Sequence, residues 1–162
     1  MAYSNKCYHK GFTLIELMVV VVIVGILAAL SVSMYRTASD KARYAGAKIW
    51  LKRIYQALEE YYYDYGCYPP DVGPNTPPSN LVPEYLEKWP TTSRDAFHSM
   101  YDYENHICGG VRSVGITYLG KDKTHQLQWC WALTHGTVGE IMEIPDGDDL
   151  FIVVAQDVET CE

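Results

Sequence analysis

Nineteen consecutive residues near the start of the chain, Leu17 to Tyr35, carry no charge, and most are Val, Ile, Leu, Met or Ala. A helix over them would span roughly 28 Å, close to the roughly 30 Å hydrocarbon core of a bilayer. A short polar stretch with Lys6, His9 and Lys10 precedes the run. A secretory signal peptide shares part of that pattern, but the run is too long for a typical signal core, and no small-x-small cleavage site follows it cleanly. The rest of the chain is different. Across all 162 residues 48% are hydrophobic and 20% charged, which excludes wholesale disorder. A mean hydropathy of −0.13 excludes a chain that lies mostly in lipid. The formal charge of −7 gives no sign of a nucleic-acid partner.

One acid sits at the head of the apolar run. Glu16 lies between Phe12-Thr13-Leu14-Ile15 and Leu17-Met18-Val19. A carboxylate at the edge of a bilayer costs several kcal/mol, of the order of a buried unpaired charge, so it needs a partner or a function. The segment Lys10-Gly11-Phe12-Thr13-Leu14-Ile15-Glu16-Leu17 resembles the processing site of type IV prepilins and type II secretion pseudopilins. The shared features are a short basic leader, a glycine before the cut, an aromatic residue after it, and a glutamate fifth in the processed chain. The resemblance implies cleavage after Gly11 by a membrane aspartyl prepilin peptidase and N-methylation of Phe12. It also implies that Glu16 meets the free amino terminus of a neighbouring subunit. An ammonium–carboxylate pair in low dielectric is favoured over either charge alone, so such a contact sets axial register more than it adds net stability. Many members of this family carry a proline eight residues after the central glycine of the run. Here that glycine is Gly25 and position 33 is Ser33. Any local melting on assembly would therefore start at Gly25, Ser31 or Ser33.

Charge is distributed unevenly beyond the run. Arg36, Lys41, Arg43, Lys48, Lys52 and Arg53 face one acid, Asp40, whereas residues 54–162 hold five basic and 18 acidic residues. This basic stem can pack on the acidic head of another subunit, attract anionic lipid headgroups, or simply be a solvated helix face. The positive-inside rule would keep residues 36–53 in the cytoplasm. The prepilin resemblance implies the reverse, with the leader inside and the long domain outside.

The helix should continue past the membrane. Ala47, Leu51, Ile54, Leu58, Tyr61 and Tyr65 recur three or four apart and form one apolar stripe, with Gly66 as a stop and Pro69-Pro70 beyond. The five tyrosines Tyr61, Tyr62, Tyr63, Tyr65 and Tyr68 read as this stripe plus an interface belt. A proline-rich loop follows, residues 66–80. Its flanks, Tyr62 to Pro69 and Leu81 to Pro90, resemble the post-helix region of G-type major pseudopilins and imply a small scaffold-like head. Beyond Arg94 the pattern turns to β. The expected strands are Met100–Glu104, Val114–Leu119, Gln126–Leu133 and Leu150–Ala155, with a hairpin connection over Gly120–His125. In the third, Leu127, Trp129, Trp131 and Leu133 alternate with Gln126, Gln128, Cys130 and Ala132. Gly109-Gly110 is a turn signal. The expected fold is α+β and pilin-like: a long N-terminal helix packed on a small antiparallel sheet. Its parts are a leader (1–11), a transmembrane or fibre-core helix (12–35), an amphipathic stem (36–65) and a loop-and-sheet head (66–162).

No catalytic constellation stands out: there is no nucleophile elbow, phosphate loop, HExxH or CxxC. The histidines at 98, 106, 125 and 135 lack ligand spacing and read as structural or solvated. Asp146, Asp148 and Asp149 around Gly147 form an acidic turn that could attract calcium. G-type pseudopilins bind calcium in a C-terminal loop, yet the longer acidic loop of that pattern is missing here, and a plain Asp-Gly turn is the other reading. Cys7 leaves with the leader. Cys67, Cys108, Cys130 and Cys161 remain, an even set that suits an oxidising compartment. Three pairings are open, with Cys130–Cys161 and Cys67–Cys108 favoured.

The resemblance therefore implies a structural subunit and no enzyme. The chain would polymerise with itself, be cut by prepilin peptidase, and move through an inner-membrane assembly platform driven by a separate cytoplasmic ATPase. Minor pilins or pseudopilins would join it. It would sit in the inner membrane before assembly, with its head outside the cytoplasm, and afterwards in an extracellular pilus or a periplasmic pseudopilus. Those two fates stay open. A minor or tip subunit with an adhesive head is the alternative.

Overall fold

The computed structural model describes residues 11–92, 97–124, 129–144 and 148–161. The chain divides into two compact units, Met1–Lys41 and Ala42–Glu162. The first contains the beginning of helix α1, Leu14–Tyr65, which runs for 52 residues without a break. Gly25 and Ser31 lie inside it, and Ser31 Oγ donates to the Leu27 carbonyl at 2.7 Å, a back-bond that a helix tolerates. Gly66 ends the helix as expected. Its φ is +72°, and its N–H donates to the Tyr62 carbonyl at 2.8 Å.

The second unit is built on a four-stranded antiparallel sheet in the order β1-β2-β4-β3. Strands β1 (Tyr101–Cys108) and β2 (Val111–Tyr118) form a two-residue hairpin through Gly109 and Gly110. Both glycines have positive φ, 63° and 88°, which is the backbone a tight hairpin needs and an L side chain resists. A short helix α2 (Trp129–His135), then β3 (Ile141–Glu143) and β4 (Leu150–Gln156), complete the order.

The sheet is covered on two faces. Ala47, Leu51, Ile54, Ala57, Leu58 and Tyr61 of α1 pack with Tyr101, Tyr103, Val114, Ile116, Tyr118, Ile152 and Val154 in the main core. Cys108, Phe151 and Val153 on the opposite face pack with Ala132 and Leu133 of α2. Gly115 makes this second layer fit. A Cβ there would meet the Phe151 ring at 2.7 Å and Leu133 Cδ2 at 3.0 Å. Strand register also shifts at this point, between Val114 and Gly115.

Four expectations need correction. Tyr65 is 51% exposed, so the buried stripe of α1 stops at Tyr61. The strand expected at Gln126–Leu133 is not formed, because its described part belongs to α2 (residues 126–128 lie outside the described residues). Helix serves better here. It puts the adjacent residues Ala132 and Leu133 into the second core together, which an alternating strand cannot do. Consequently Gly120–Thr124 joins no pair of strands, and β3, which the pattern did not reveal, pairs with β4.

The fourth correction concerns the cysteines. The pairs are Cys67–Cys161 and Cys108–Cys130, neither of them the favoured choice. Tyr68 explains the first. Its N–H donates to the Glu159 carbonyl at 3.0 Å, and the Cys161 N–H donates to the Tyr68 carbonyl at 2.8 Å. The C-terminal segment thus lies beside the chain leaving α1. The second follows from α2 packing over the end of β1.

Candidate assembly site

The chain enters α1 through Gly11, Phe12 and Thr13, all exposed and none helical. Phe12 is 79% exposed, so the Gly11–Phe12 bond lies open in this chain. Thr13 caps the helix. Its backbone N–H and its hydroxyl donate to Glu16 Oε2 at 2.9 and 2.7 Å, and the Glu16 N–H returns a bond to Thr13 Oγ1 at 3.3 Å. This reciprocal pair is a capping box, and it satisfies donors that the first turn would otherwise leave unpaired. Glu16 therefore has a local partner, a role the sequence reading missed although Thr-x-x-Glu is legible. The carboxylate itself stays exposed at the edge of the apolar run.

Downstream of the cap the apolar side chains have no cover among the described residues. Leu17, Val19, Ile23, Ile26, Leu27 and Leu30 are 52–62% exposed. None of the most apolar 18-residue window of α1 is buried within the chain, and α1 is long and apolar enough to cross a membrane. Burying such side chains is favourable by about 1.5–3 kcal/mol each, so lipid or a second chain must supply the cover.

Several basic residues of the stem are engaged within the second unit. Lys48 Nζ lies 2.6 Å from Glu143 Oε1, Lys52 Nζ donates to the Gly139 carbonyl, and Arg43 stacks 5.1 Å from the Phe97 ring centre. The Lys48 pair is exposed and contributes little, about 0–1 kcal/mol.

The acidic turn is only partly described, since Asp146 lies outside the described residues. Asp148 Oδ2 accepts hydrogen bonds from Tyr44 Oη at 3.1 Å and from the backbone N–H groups of Lys121 and Asp122, the latter at 3.1 Å. Carboxylate oxygens of Asp122, Asp148 and Asp149 lie within 4.8 Å of one another. Asp122 was not among the expected ligands, because the sheet brings it to the turn from 26 residues away.

A second group, also missed, joins Asp71, Glu104 and His106, whose potential ligand atoms lie within 4.8 Å of one another. The Glu104-x-His106 spacing on one strand was the available signal. Glu104 is 7% exposed. Burial pushes its carboxyl up to about 7, opposed by the Asp102 side chain and aided by the Asp71 charge.

Comparison with known proteins bears on the N-terminal region. Residues 6–32 match the family model of the prokaryotic N-terminal methylation motif. A type IV major pilin protein PilE1 of Neisseria gonorrhoeae is 38% identical over 83 residues, 49% of this chain and 50% of the relative. The type II secretion system core protein G of Pseudomonas aeruginosa is 51% identical over 61 residues, 38% of this chain and 43% of that protein. A fimbrial protein of Neisseria meningitidis serogroup B is 43% identical over 61 residues, 38% of this chain and 36% of that protein. The matches with these curated relatives span half or less of their length. No solved structure matches. The chain thus shares a prokaryotic N-terminal methylation motif, and sequence similarity over half of its length or less, with type IV pilins and a type II secretion core protein.

Proposed function

We propose that the chain is a structural subunit of a helical, membrane-rooted fibre, either a type IV pilus or a type II secretion pseudopilus. The observation that carries this reading is the exposed apolar first half of α1 behind an open Gly11–Phe12 bond. The subunit waits in the inner membrane with residues 36–162 outside the cytoplasm. Prepilin peptidase cuts after Gly11, Phe12 becomes the methylated amino terminus, and the apolar helices of successive copies bury one another. Glu16 then accepts a neighbour's terminal ammonium and fixes the axial register. An assembly platform and minor subunits complete the machinery.

Glu16→Ala should leave membrane insertion intact and abolish fibres seen by electron microscopy of cells. Normal fibres in that variant would overturn the register role. Protection of residues 36–162 from protease added to spheroplasts would overturn the orientation.

Calcium is a second element of this proposal. Asp122, Asp148 and Asp149 supply three carboxylates, and Asp148 Oδ1 is buried without a hydrogen bond among the described residues. An oxygen-only donor set of this kind suits calcium. Calcium added to metal-free protein should raise its melting temperature. An unchanged value would remove calcium from the account.

A further inference from the structure

We propose that Asp71, Glu104 and His106 form a binding site for a divalent transition-metal ion of the zinc type. The site is separate from the three-aspartate turn and does not depend on the fibre reading.

The three side chains come from two segments. Glu104 and His106 are two apart on the edge strand β1, so they project from the same face. Asp71 comes from the loop after α1. His106 Nε2 contacts Glu104 Oε2 and lies 3.8 Å from Asp71 Oδ1. A zinc ion held at about 2.0–2.2 Å by an imidazole nitrogen and two carboxylate oxygens would keep them roughly 3.4 Å apart. The His106–Glu104 contact would open slightly, and Asp71 would close on them.

The surroundings hold this arrangement in place. Tyr103 Oη and Asn105 Nδ2 both donate to the Pro69 carbonyl, at 2.8 and 2.7 Å, and fix the loop on β1. The Asn105 N–H donates to Asp71 Oδ1 at 2.9 Å and orients that carboxylate. Asn105 is itself held by Arg112 Nη1 at 3.1 Å and Thr160 Oγ1 at 3.3 Å. Such outer contacts are what a metal site needs to keep its ligands aimed.

Charge argues the same way. Asp71 and Glu104 converge on one imidazole, and Asp102 lies beside Glu104, while the nearby Arg112 donates to Asn105. A dication would balance the negative charge that converges here. The nitrogen ligand selects a zinc-type ion over calcium, which takes six to eight oxygens. The His106 and Asp71 side chains are 46% and 40% exposed, so solvent can reach the site and a water can fill the remaining position. The ion would pin the proline-rich loop to the edge strand.

The full chain in detergent, stripped of metal with EDTA and dialysed, tests this. Titration with ZnCl2 by calorimetry, and with CoCl2 by visible absorption, should show one saturable site and a melting temperature that rises to a plateau. His106→Gln and Asp71→Asn, both at exposed positions, should weaken affinity at least about tenfold. His135→Gln, outside the cluster, should leave it unchanged. Calcium in large excess should not displace cobalt. The proposal is overturned by the absence of saturable binding, by equal affinity in His106→Gln, or by displacement of cobalt by calcium. Circular dichroism on each variant shows that the fold is retained.

Discussion

Single residues explain much of the second unit. Tyr103 Oη is buried and donates to the Pro69 carbonyl, and Tyr68 Oη donates to Glu59 Oε1 at 2.7 Å. Burial first, and for Tyr68 the Glu59 carboxylate next, raise both phenols well above the ordinary value of 10.0. A raised value in the fold means that folding favours the protonated phenol. That stability is whole below pH 10.0 and is lost as pH climbs toward the folded values. Of the 14 tyrosines, Tyr68 and Tyr103 should therefore stay silent in a spectrophotometric titration that ionises the exposed ones, and respond only in denaturant. Their ionisation in the native protein, with no denaturant, would contradict the burial argument. Gly115 is a second case. Gly115→Ala drives a methyl into Phe151 and Leu133 and should cost about 1–3 kcal/mol by chemical denaturation.

Elements were legible where one period held without interruption. Ala47, Leu51, Ile54, Leu58 and Tyr61 keep helical spacing and are all buried, and a φ-positive glycine stops the helix where the pattern stops. Tyr65 continued the period but not the burial; its ring lies against Tyr61 and Tyr85 at the rim of the core. The region around Trp129 and Trp131 misled for a physical reason: alternating large residues mimic a strand, whereas burial selects Ala132 and Leu133. A clue lay elsewhere. Leu150 to Ala155 is an unbroken apolar run, the mark of a strand covered on both faces, and it called for a second layer over the sheet. The disulfides were illegible for the same reason, since pairing follows from that layer and from the path of the C-terminus. Cys67–Cys161 closes a separation of 94 residues and Cys108–Cys130 one of 22. Replacing Cys67 and Cys161 together by serine should cost about 2–5 kcal/mol, and the Cys108 and Cys130 pair somewhat less. Peptide mapping under non-reducing conditions checks the pairing, and equal melting temperatures for wild type and the first variant would contradict the estimate.

At the scale of the whole molecule, α1 serves twice: its second half is built into the folded head unit, and the apolar side chains of its first half are exposed among the described residues. The N-terminal methylation motif was readable, because it is local. What was overlooked is the second duty of Glu16, a helix cap in the single chain beside its proposed role as the partner of a neighbour's ammonium in the fibre. The two roles can be separated. Glu16→Gln keeps the Thr-x-x-Gln capping box and removes only the charge. Thr13→Val removes the cap, at about 0.5–2 kcal/mol of local helix stability, and keeps the charge. Fibres counted by electron microscopy on cells expressing each variant, with membrane levels matched by immunoblot, test the central claim most directly. The account predicts fibres with Thr13→Val and none with Glu16→Gln. Wild-type fibre numbers with Glu16→Gln would contradict it.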